Sequence, residues 1–140
     1  MSAAGLILLL TLCSPWPDLA GAAECAYLKS NIKKERDLTK RRALFRQAVA
    51  HCPDDAGLHY SFGYGLERSR KYDEALEQYS LALALDPAMA KAYFNMGDIY
   101  KSREKYADAI LSYQQGLQIE PENSRVRKNL TRTLEAAQNR

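Results

Sequence analysis

The sequence predicts an all-α fold, a superhelical solenoid of antiparallel helix pairs, on three observations. The first is a 34-residue period: Gly63, Ala75, Ala82 and Pro87 recur as Gly97, Ala109, Gly116 and Pro121. Tyr72 and Tyr79 recur as Tyr106 and Tyr113, while Phe45, Ala48 and Pro53 stand one step earlier. A fixed period of this size marks stacked repeats, whose units bury their apolar faces against their neighbours. The second is helical spacing. Tyr93, Met96, Gly97 and Tyr100 share one face, and Tyr106, Ala109, Ile110, Tyr113 and Leu117 share another. The third is the proline that closes each second helix, where it has no N–H to donate and clashes with the preceding turn.

Taken in order, the helices are expected near residues 24–34, 37–51, 55–69, 72–85, 89–103, 106–119 and 123–138, with no strands. Turns are expected at Arg70–Lys71, at Glu104–Lys105 and around Pro53, Pro87 and Pro121. Asp54, Asp55, Asp73, Asp86 and Asp108 lie near helix starts or turns, where a short acid caps N–H groups and suits the helix dipole. Glycine within a helix costs roughly 1 kcal/mol relative to alanine. Gly63, Gly97 and Gly116 are therefore expected to permit close helix contact, with the aromatics filling the gaps beside them.

The pattern resembles the tetratricopeptide repeat. Phe62, Gly63, Leu66, Ala75, Tyr79, Ala82 and Pro87 carry the resemblance in one unit. Tyr93, Met96, Gly97, Tyr100, Ala109, Tyr113, Gly116 and Pro121 carry it in the next. His59 and Tyr93 replace the family's tryptophan. The resemblance implies a degenerate repeat at 24–55, repeats at 56–89 and 90–123, and a capping helix at 124–140. In the first unit Lys29 and Arg41 occupy positions that are small elsewhere, so its helices are expected to pack less tightly. The last helix keeps Leu130 and Leu134, and its polar outer face suits a terminal cap.

Residues 1–23 read as a secretory signal peptide. Gly5 to Leu12 is apolar, Pro15 and Pro17 break the run, and Ala20, Gly21, Ala22 and Ala23 offer a cleavage site. The run is too short to span a bilayer, so no stable membrane insertion is expected after cleavage. The expected location is exported, either periplasmic or secreted. Cleavage would leave two cysteines, Cys25 and Cys52, at ends of antiparallel helices that should meet. A disulfide between them is expected.

Little in the sequence points to catalysis. A nucleophile needs a positioned base, and neither His51 nor His59 stands in such a motif. These histidines with Cys52 match no common metal-ligand spacing, and no phosphate-binding glycine loop occurs. No enzyme activity, metal or cofactor is expected. The formal net charge of +3 is too small to argue for nucleic acid. Asn129-Leu130-Thr131 is a glycosylation pattern, read here as chance within a helix.

The resemblance implies a concave groove lined by the first helix of each unit. Projected onto it, Tyr60, Tyr64, Phe94, Asn95 and Asp98 form an aromatic middle. Arg125, Lys128 and Arg132, with Lys91 nearby, form a basic end. Some family members clamp a terminal carboxylate with Lys and Asn; Asn95 and Arg125 match two of those positions, whereas Tyr60 and Tyr64 replace others. The expected partner is a protein or peptide segment. The alternative is a self-associating structural component, a homo-oligomer joined through solenoid ends or outer face. A second basic cluster, Lys33–Lys34 and Lys40–Arg41–Arg42, flanks the first turn. It reads as a solvated turn, or as a contact for acidic lipid or another protein.

Overall fold

The computed structural model describes residues 19–139 and contains seven helices. They are α1 (Leu19–Lys34), α2 (Leu38–His51), α3 (Ala56–Arg68), α4 (Tyr72–Leu85), α5 (Ala90–Ser102), α6 (Tyr106–Ile119) and α7 (Ser124–Gln138). Boundaries fall within a residue of the sequence reading except at α1, which begins at Leu19 rather than residue 24. The expected cleavage point near Ala23 therefore lies inside α1. The leader's apolar run lies outside the described residues. No helix among the described residues is long and apolar enough to cross a membrane.

Local chemistry explains the helix ends. Asp37, Asp55 and Asn123 are N-caps, and each side chain accepts an N–H from the first turn. Asp73 and Asp108 lie in the first turns of α4 and α6 instead. After α3, Arg70 N–H bonds to Glu67 C=O and Lys71 N–H to Leu66 C=O. After α5, Glu104 and Lys105 repeat the pattern on Lys101 and Tyr100. Both are Schellman closures, so Arg70 and Glu104 take left-handed φ values of 58° and 57°.

α3 packs along α4, and α5 along α6; α7 covers the exposed end of the second pair. The interior glycines fit aromatic rings. A β-carbon on Gly63 would lie 2.8 Å from the Tyr79 ring, and one on Gly97 would lie 2.6 Å from Tyr113. One on Gly116 would overlap the Phe94 ring. Tyr79, Tyr113, Ala75 and Ala109 are all fully buried.

The first unit is built differently. Its core is Leu28, Ile32, Phe45, Ala48 and Cys52, with Phe45 stacked on Phe62 at 5.2 Å. Lys29 Nζ reaches out to Asp55 Oδ2 at 2.5 Å. α1 and α2 touch less extensively than the two later pairs. Cys25, in the second turn of α1, meets Cys52, the C-cap of α2; their Cα atoms are 6.0 Å apart and their sulfurs lie at disulfide distance.

Gly97→Ala decides between propensity and packing. Helix propensity favours alanine by about 1 kcal/mol, but overpacking a buried ring costs about 1–3 kcal/mol. The Tyr113 ring is fully buried and cannot swing away, so Gly97→Ala is expected to destabilise. Gly65→Ala, whose β-carbon would meet nothing nearer than Phe45 at 3.9 Å, is expected to stabilise by up to about 1 kcal/mol. Urea denaturation of the two variants checks both signs.

Candidate functional site: the inner face of α3, α5 and α7

The inner face is organised by two buried tyrosines. Tyr79 O–H donates to Glu67 Oε2 at 2.5 Å. Asn95 Nδ2 donates to Tyr79 Oη at 3.0 Å and to Tyr60 Oη at 3.3 Å. One unit later, Tyr113 O–H donates to Asp98 Oδ1 at 2.5 Å. Asn129 Nδ2 donates to the same oxygen at 3.1 Å, and Arg125 donates to Oδ2 at 3.3 Å. Asn95 and Asn129 thus do the same job one 34-residue period apart. Each ties a tyrosine–carboxylate pair to the helix of the following unit.

Tyr60 lies tilted against Tyr79, ring centroids 5.6 Å apart, and Lys91 Nζ sits 4.4 Å above its ring. That is cation–π geometry. Tyr64, one turn further along α3, is 47% exposed. Lys128 and Arg132 are exposed on α7 and form no ion pair or hydrogen bond among the described residues. Their spacing from Arg125 places all three along one side of that helix.

The structure therefore gathers Tyr60, Lys91, Asn95, Asp98 and Arg125, with Tyr64 beside Tyr60. Phe94 requires a correction. It was expected in the groove, but it is 3% exposed and lies in the core against α6. The physical reason is Gly116, whose missing β-carbon leaves the space that the ring fills. Asn95 and Arg125, two clamp-like positions, are engaged by Tyr79, Tyr60 and Asp98. Glu67, Asn129 and the hydroxyls of Tyr79 and Tyr113 were missed. Extending the 34-residue period from Asn95 would have found Asn129.

Burial raises the Glu67 carboxyl above its usual range; the Tyr79 hydrogen bond opposes this and nearby Asp98 adds to it. Tyr79 and Tyr113 are raised well above the usual phenol range, first by burial and then by their carboxylate acceptors. Burial also raises Tyr60, against the Asn95 hydrogen bond. Away from this face, His59 is buried, with Nδ1 2.8 Å from Gln78 Oε1 and Nε2 3.0 Å from Pro53 O. A carbonyl can only accept, so Nε2 carries a hydrogen.

Two family models match this architecture. The tetratricopeptide repeat model covers residues 90–123, and the TPR repeat model covers residues 70–102. Residues 70–123 are built from tetratricopeptide repeats. The tetratricopeptide structure titled "First TPR of Spaghetti (RPAP3) bound to HSP90 peptide SRMEEVD" superposes with a TM-score of 0.74 at 21% identity. That match covers 82% of this chain and 94% of the other. MamA superposes with a TM-score of 0.77 at 21% identity, covering 84% and 66%. These likenesses concern the fold alone. Among curated proteins, mouse anaphase-promoting complex subunit 7 is 36% identical over 90 residues, 60% of this chain and 16% of that protein. Mouse protein O-mannosyl-transferase TMTC1 is 33% identical over 70 residues, 50% and 7%. The repeats here thus span a sixth or less of these curated relatives.

The tyrosine network has a measurable pH signature. An unfolded tyrosine ionises near pH 10, whereas Tyr60, Tyr79 and Tyr113 are raised in the fold. The native state keeps their protons longer than the unfolded chain does. Their contribution to stability is complete below about pH 10 and is lost as the pH climbs beyond it. Absorbance titration is expected to show three of the nine tyrosines ionising late, with loss of helicity. Nine tyrosines titrating together with the helices intact would contradict the network.

Proposed function

We propose that this chain is a non-catalytic scaffold that holds a protein segment along the inner face of α3, α5 and α7. The observation that carries this reading is the fixed row of Tyr60, Lys91, Asn95 and Asp98, held from behind by Tyr79 and Tyr113. A surface already ordered loses little entropy on binding. Tyr60 and Tyr64 offer rigid aromatic area, and Lys128 and Arg132 offer charge for acidic groups. The inner-face carboxylates have structural partners: Glu67 accepts from Tyr79, and Asp98 accepts from Tyr113, Asn129 and Arg125. A structural relative named for its bound HSP90 peptide supports this style of binding.

A second reading, self-association, draws on different residues. Leu81 and Leu85 on α4, with Leu111 and Ile119 on α6, are 38–55% exposed. These helices form the row opposite the inner face.

Groove substitutions separate the two readings. Tyr64→Ala combined with Lys128→Glu and Arg132→Glu is expected to reduce capture of the native partner at least about tenfold, given that a hot-spot residue is worth about 2 kcal/mol or more. Helicity should be unchanged, because all three side chains are exposed. Undiminished capture would sink the groove reading. A concentration-dependent oligomer that survives these changes and disappears on removal of residues 124–140 would favour self-association.

We propose that Cys25 and Cys52 are joined in an oxidising space, periplasmic or extracellular, which the leader-like residues 1–23 also support. Their separation of 27 residues corresponds to about 3–4 kcal/mol of loop-closure stabilisation. Reduction is expected to lower the melting temperature on the order of 10 °C, and Cys25→Ser should melt at the same lowered temperature with or without reductant. A wild-type curve indifferent to reductant argues against the bond.

A further inference from the structure

A recess of about 230 Å³ opens where α1, α2 and α3 meet. Ile32 and Phe45 form its apolar floor, and Tyr64 stands exposed at its rim. Lys33, Arg41 and Arg68 surround it. None of these three cations forms an ion pair among the described residues, although carboxylates are close by in the chain. Those carboxylates are occupied. Glu35 accepts the Asp37 N–H, and Asp37 caps α2. Glu67 holds Tyr79, Asp55 holds Lys29, and Glu74 holds Lys71 and Arg46. Arg41 stands one period before Ala75. A small residue there lets the later helix pairs close, whereas the arginine brings charge to the recess.

We propose that this recess binds an acidic side chain of a partner segment, with an apolar neighbour seated against Ile32, Phe45 and Tyr64. The inference rests on the inner-face reading above and extends it, because Tyr60, Tyr64 and Arg68 follow one another at four-residue steps along α3. Three uncompensated cations beside apolar surface favour a carboxylate, and guanidinium groups can hold it in two parallel hydrogen bonds. A concave site one side chain deep suits a protein segment better than a flat lipid surface. Like charges also repel, so the cluster works against folding unless a ligand neutralises it.

The test uses an array of ten-residue peptides, each carrying one Glu beside one Leu or Phe, with a matched array carrying Gln for Glu. The wild-type chain should prefer Glu members about tenfold or more, and the preference should shrink at high salt. Arg41→Gln with Arg68→Gln should abolish the preference without lowering the melting temperature. If that double variant does not fold, Lys33→Gln, at an exposed position, should weaken the preference in its place. Equal binding of both arrays would overturn the recess assignment and leave the groove reading standing. Binding of neither array would overturn both. A preference that survives Arg41→Gln/Arg68→Gln but is lost in Lys128→Glu/Arg132→Glu would move the carboxylate to α7. Wild-type binding to phosphatidylserine vesicles, lost in Arg41→Gln/Arg68→Gln with no Glu preference in the arrays, would overturn the recess in favour of a lipid.

Discussion

The structure depends on placing an aromatic ring where a β-carbon would otherwise be. Gly63 and Gly97 leave a flat patch on the first helix of a pair, and Tyr79 and Tyr113 lie on those patches. Close approach alone would be served by phenylalanine. Tyrosine adds a hydroxyl that emerges on the inner face and needs an acceptor, because an unsatisfied buried hydroxyl is costly. Glu67 and Asp98 supply it. Core packing and the inner surface are therefore joined in the same side chains. The glycines stay because the ring cannot move, and the carboxylates stay because the hydroxyl cannot be left bare.

The two asparagines carry this arrangement from unit to unit. Nearest-neighbour contacts govern stability in stacked repeats. Asn95 and Asn129 are such contacts, reaching back from the next helix to the polar cluster of the preceding pair. The first unit lacks the device. Lys29 and Arg41 replace the small residues that would let a tyrosine ring nest. The cysteine pair closes α1 on α2 at the opposite end, where Cys25 approaches Cys52. The disulfide proposed there would do what ring-on-glycine packing does in the later pairs.

Much of this was legible in the sequence because the period is carried by backbone-limited residues. Glycine, alanine and proline have few alternatives at a close contact or a helix end, so helix order and pairing followed directly. Side-chain destinations were less legible. Phe94 and Tyr60 occupy the same repeat position, yet one is buried and the other lines the surface. The difference lies in a residue more than twenty positions away: Gly116 admits a ring, whereas Ala82 already fills the equivalent space. Arg125 and Asn95 looked available because a sequence shows a residue's type and not its bond partners. The start of α1 was misjudged for a different reason. The small residues before Glu24 suit a cleavage site and a helix equally well.

Charge gives the last step. The sequence contains 20 Lys and Arg, which look equivalent when read in order. The fold divides them. Lys29, Arg46, Lys71, Arg103, Arg125 and Arg127 each meet a carboxylate of this chain. Exposed pairs of that kind add little stability, but they answer the charge locally. Lys33, Arg41 and Arg68 are unanswered at one end of the inner row, and Lys128 and Arg132 at the other. Between these ends the acids Glu67 and Asp98 face their own tyrosines. Along the inner row the cations Lys33, Arg68, Lys128 and Arg132 are exposed, while Glu67 and Asp98 are engaged by side chains of this chain. Under the inner-face reading proposed above, that division would suit a partner with acidic residues toward its ends and apolar or aromatic contacts between them.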